Sequence, residues 1–89
     1  MTREQVLAWL DTRRPAPPVT LRDRLRRAVH DAPGGLAVHL ARLGQELLDG
    51  VTAQPAGGRE LALDLLAADA FATYAFEAQA EAGGGRTDT

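Results

Sequence analysis

Proline and glycine fall in four clusters along this chain, at Pro15 to Pro18, Pro33 to Gly35, Pro55 to Gly58 and Gly83 to Gly85. Each cluster breaks regular structure, so the chain is cut into four segments of helical length. None of them alternates apolar and polar residues as a half-buried strand would, and their alanine, leucine, glutamate and arginine content favours helix. The reading is an all-α fold, a compact bundle of about four helices. It forms a single domain over residues 1–82, followed by a mobile glycine-rich tail over residues 83–89.

The first segment opens with Thr2-Arg3-Glu4-Gln5, the pattern of a capping box, in which the Thr2 hydroxyl and the Gln5 amide exchange bonds with each other's backbone N–H. Val6, Leu7, Trp9 and Leu10 make its apolar face, and the helix is expected to end near Arg13, because Arg14 precedes a proline. Thr20 is the start signal of the second helix, with Leu21, Leu25, Ala28 and Val29 inward and an arginine-rich outside. For the third, Asp31 is the expected cap, with Pro33 in the first turn. Leu36, Leu40, Leu43 and Leu47 form a stripe along it. Ala37, Ala41 and Gly44 form a strip of small residues beside that stripe, and a glycine inside a helix points to close approach of another helix.

The fourth segment, Arg59 to Ala82, is the longest and is apolar around most of its circumference, the mark of a central helix. It holds three of the four aromatic residues, so Trp9 is expected to pack near them. Its apolar girth also exceeds what three shorter helices readily cover.

Composition removes several function classes. The chain has no cysteine, serine or lysine, which excludes disulfides, thiolate metal sites and serine or cysteine nucleophiles, and leaves arginine as the only positively charged residue type apart from histidine. Thr73, the one threonine in the middle of a helix, is expected to bond back to a carbonyl one turn earlier. No apolar run nears the roughly 20 residues needed to span a bilayer, and Arg3, Glu4 and Gln5 interrupt the first ten residues, so no membrane role and a cytoplasmic location are expected. No cofactor is implied.

Two histidines, His30 and His39, do not match a compact metal spacing; His30 is read as interacting with a helix C-terminus and His39 as a helix-surface or boundary residue. The spacing from Arg24 to His30 is similar to the arginine-to-histidine motif of the HEPN family of helical ribonucleases, a resemblance confined to that spacing that carries no catalytic role onto these residues. Asp64 and Asp69 interrupt the fourth helix, and Asp69 is expected either to be held by Arg22, Arg26 or Arg42 or to lie exposed. Gly57-Gly58 ahead of that helix lacks the lysine and the spacing of a phosphate loop.

Charge is divided along the chain. Through Gln45 eight arginines stand against Glu4, Asp11, Asp23 and Asp31, a net of +4, whereas from Glu46 onward Arg59 and Arg86 stand against eight acidic residues, a net of −6. With no motif for catalysis, the expectation is a small helical protein-interaction module without catalytic activity of its own, an adaptor, small subunit or self-associating domain. It would bind another protein or itself through the strip Ala37, Ala41 and Gly44. The alternative is non-specific nucleic-acid binding, with Arg13, Arg14, Arg22, Arg24, Arg26 and Arg27 contacting phosphates in the basic N-terminal half. The overall charge of −2 is far from the basic footprint of a dedicated nucleic-acid binder.

Overall fold

A computed structural model describes residues 1–53 and 58–83. They form four helices, α1 (Arg3–Leu10), α2 (Val19–Ala28), α3 (Leu36–Ala53) and α4 (Arg59–Gly83), with no strand among the described residues. The all-α reading therefore holds. α4 runs through Gly83, one residue beyond its expected end, and the remainder of the expected tail, residues 84–89, lies outside the described residues, as does the break at residues 54–57.

The helix boundaries follow from backbone bonding. α1 has the full capping box: Gln5 N–H donates to Thr2 Oγ1 (3.2 Å) and Thr2 N–H donates to Gln5 Oε1 (2.9 Å). It ends at Leu10, three residues short of the expected Arg13. Thr12 and Arg13 N–H groups bond back only three residues, to the carbonyls of Trp9 and Leu10, and the Thr12 hydroxyl also takes the Trp9 carbonyl. α2 begins at Val19, with Pro18 rather than Thr20 as its cap; Pro18 sits at φ −56° and ψ 153°, and its carbonyl accepts from Arg22 N–H. α3 begins at Leu36, not near Pro33. Gly34 adopts φ +103°, a left-handed conformation that stops any helix begun at Asp31, and the first helical turn closes from His39 N–H to the Gly35 carbonyl.

Released from capping α3, the Asp31 carboxylate accepts from Arg3 N–H (2.6 Å) and so serves the N-terminus of α1. Arg3 in turn donates to the carbonyls of Val29 and Arg26 at the end of α2, and Met1 and Ala32 exchange backbone bonds. The segment joining α2 to α3 is thereby stitched to the start of α1.

α3 and α4 form the largest contact in the molecule. Gly44 lies nine residues before the end of α3 and abuts Ala68, Phe71 and Ala72, nine to thirteen residues after the start of α4, so the two helices run antiparallel. A Cβ on Gly44 would lie 3.1 Å from the Ala68 carbonyl oxygen and 3.3 Å from Phe71 Cβ. Close helix approach is what the glycine permits. The core combines Leu40, Leu43 and Leu47 of α3, Ala67, Phe71 and Ala78 of α4, Val6 and Leu7 of α1, and Leu25 and Val29 from α2 and its end.

α1 and α2 cover one side of this hairpin. The Trp9 ring meets Tyr74 edge-on with centroids 6.0 Å apart, as expected of an aromatic placed to pack on α4. Arg13 lies over the Trp9 ring at 3.9 Å and reaches Glu77 and Glu81 of α4, while Trp9 Nε1 donates to Glu81. Further along, Arg24 of α2 pairs with Asp64 of α4 at 2.6 Å.

Candidate protein-interaction face

α4 carries two stripes on different faces. The first, Asp64, Ala67, Phe71, Tyr74, Ala78 and Glu81, follows the three-and-four spacing of one helix face and meets α1, α2 and the core. The second, Leu65, Ala68, Ala72, Phe76 and Gln79, is turned round the helix from it, with Ala68 buried against α3 and the other four exposed. α3 repeats the arrangement, with Leu40, Leu43 and Leu47 of its leucine stripe buried and Ala37, Ala41, Gly44 and Leu48 beside it.

Because α1 and α2 both lie on the first side, the second stripes of α3 and α4 face each other across an open groove with a volume of about 740 Å³. Its surface is almost wholly apolar, with Gln45, Asp69 and Gln79 as the polar exceptions. Phe76 is 78% exposed, Val38 58%, Leu65 44% and Leu48 40%. Single exposed apolar residues are ordinary, but four large ones on one groove form a contiguous patch.

The three small residues expected to form an interaction strip divide between two roles. Ala37 and Ala41 line the groove, whereas Gly44 is buried against α4 and forms the floor where the two helices touch. The large side chains that project around that strip were not singled out from the sequence. Part of their signal was present: Leu48 continues the small strip one position after the leucines of α3, and Leu65 and Phe76 share a three-and-four spacing with Ala68 and Ala72 on α4.

The expected phosphate-binding arginines are largely engaged within the chain. Arg13 pairs with Glu77 and Glu81, Arg24 with Asp64, and Arg22 and Arg26 with Asp11. Arg14 donates to the carbonyls of Asp11 and Arg13, and Arg27 is exposed; neither is in an ion pair among the described residues. Asp69 is exposed on the groove wall, and it is Asp64 that is held by an arginine, Arg24, which was not among the expected partners.

The two histidines meet at the corner between α2 and α3, with ring centroids 5.7 Å apart. His30 Nε2 lies 2.8 Å from Glu46 Oε1 and Nδ1 lies 2.9 Å from the Asp31 carbonyl oxygen; those contacts, the backbone one foremost, raise its pKa above the ordinary 6.5. His39 is not at the surface. It is 1% exposed, and neither ring nitrogen has a hydrogen-bond partner among the described residues. Burial, with the charge of His30 adding to it, lowers its pKa below 6.5. No cluster of three or more metal-ligating side chains occurs among the described residues. Arg24 and His30, the pair similar in spacing to the HEPN motif, serve different partners on different helices, Asp64 and Glu46. Among the described residues no helix is long and apolar enough to cross a membrane.

No protein family, curated protein or solved structure matches this chain.

Proposed function

We propose that this protein is a helical interaction module, without catalytic activity of its own, whose working surface is the uncovered face of the α3–α4 hairpin. The observation that carries the reading is the groove with Phe76, Val38, Leu65 and Leu48 exposed along it. Keeping such a patch in water costs about 25 cal/mol for each Å² of apolar surface that a partner would cover, and a chain of 89 residues has little stability to spare. The small residues Ala37, Ala41 and Ala72 along the groove let another backbone come close, and Gln45, Asp69 and Gln79 supply a sparse polar rim. This is the anatomy of a face that receives a helix.

The test is capture from a source-cell lysate on immobilised wild-type protein and on Phe76→Asp, both treated with nuclease. The expected result is a chain retained in stoichiometric amount by the wild type and lost from the variant, while helical circular dichroism is unchanged. Equal retention by both proteins, or retention that nuclease abolishes, would overturn the assignment of this face.

A further inference from the structure

Among large side chains on the groove, Phe76 is the most exposed, and it stands one helical turn from Ala72 on the same stripe. We infer that the occupant of the groove is a second copy of this chain, packed so that α4 lies antiparallel to its counterpart with Phe76 of each copy seated on Ala72 of the other. The inference rests on the α3–α4 face being the working surface, and it names the partner of that face.

The spacing of the stripe carries the argument. A two-fold axis passing between the levels of Phe76 and Ala72, perpendicular to α4, brings each residue of the stripe opposite a fixed counterpart. Phe76 meets Ala72, and by the same register Asp69 meets Gln79 and Leu65 meets Gly83. Each large apolar residue of the α4 stripe thus faces a small one, and the Asp69 carboxylate faces an amide whose N–H groups can donate to it. No like charges oppose each other on the groove, because Asp69 is the one charged residue lining it among the described residues. Within one copy Asp69 and Gln79 are ten residues apart, about 15 Å along the helix, so they bond only across the pair. The arrangement is isologous, each contact occurring twice.

Area sets the size class of the contact. The overlap from Leu65 to Gly83 is about 28 Å long on α4, and α3 widens it to two helices over about half that length, on the order of 400 Å² in projection for each copy. That lies at the small end of specific interfaces, the size class of weak, transient complexes.

Sedimentation equilibrium from about 1 to 500 μM protein tests it. The expected result is a shift from the 9.5 kDa chain toward twice that mass, abolished by Phe76→Asp. Gln79→Arg should tighten the dimer about five- to tenfold by pairing with Asp69 of the other copy, and adding Asp69→Asn should remove that gain. A wild type that stays monomeric throughout overturns the second copy as occupant. The reading of the face then stands or falls separately, on whether lysate capture is lost in Phe76→Asp. A dimer indifferent to Phe76→Asp likewise overturns the second copy as occupant and leaves the reading of the face to the capture test. One that Phe76→Asp breaks but Gln79→Arg does not tighten overturns the antiparallel register.

Discussion

His39 gives the clearest case of one residue whose environment departs from its reading. It follows Leu36 by three positions and precedes Leu43 by four, which places it on the leucine face of α3, and the stitched segment from Val29 to Ala32 closes over it. A polar ring with no partner is thereby buried. The pH consequences of the two histidines oppose each other. His39 has a lowered native pKa, so its contribution to stability is intact above the unfolded value near 6.5 and is lost as pH falls through the lowered value. His30 has a raised native pKa; its contribution is intact below 6.5 and is lost as pH rises through the raised value. Urea unfolding between pH 5 and 8 should find His39→Leu more stable than wild type by about 1 kcal/mol at pH 7, since it removes a buried unsatisfied group. That advantage should grow toward pH 5, and a His39→Leu chain no more stable at pH 5 than wild type would refute the account. His30→Ala should flatten the loss seen between pH 6.5 and 8.

At the scale of the helix, the stripes of α3 and α4 explain both the hairpin and the groove. The leucine stripe of α3 was readable because its side chains are large and regularly spaced. The second stripe was harder to assign, since alanine and glycine suit a tight intramolecular contact and an open floor equally well, and spacing alone does not say which helix arrives. Gly44 proves to belong to the internal contact, which changes the meaning of a test at that position. Gly44→Leu, which would block association and leave the monomer helical if the strip were an interaction surface alone, would instead drive a large side chain into the Ala68 carbonyl and separate α3 from α4. A finer comparison isolates packing from propensity. Alanine gains roughly 1 kcal/mol over glycine in a helix interior. Gly50, with nothing within 4 Å of its absent Cβ, should deliver that gain as Gly50→Ala, raising the thermal midpoint by several degrees. Gly44→Ala should lower it, because a backbone carbonyl at 3.1 Å does not rotate away. Thermal circular dichroism on the two variants reads the opposite signs directly.

Across the whole molecule, the division of charge along the chain is resolved largely inside the fold. Arg13 with Glu77 and Glu81, Arg24 with Asp64, and His30 with Glu46 each join the basic half to the acidic half. Arg24 and Asp64, with side chains 20% and 16% exposed, form the most enclosed of these contacts. Asp64→Asn should cost about 2 kcal/mol in urea unfolding at low salt, a charge-assisted bond lost from a partly buried site, and less at 1 M salt. A cost under about 0.5 kcal/mol at low salt would show that the pair does not hold α2 to the hairpin. What the sequence by itself determined was local: four helices, their approximate limits, the capping box at Thr2, the leucine stripe and the close approach at Gly44. These depend on periodicity, on backbone freedom at glycine and proline, and on hydrogen bonds between near neighbours. Only the tertiary structure decided that α1 and α2 lie on the same side of the hairpin, that Asp31 serves α1 rather than α3, that Arg24 finds Asp64, and that Phe76 is left in solvent. Each depends on which surfaces meet between segments far apart in the chain, and a spacing rule carries the face of a helix but not the identity of what covers it.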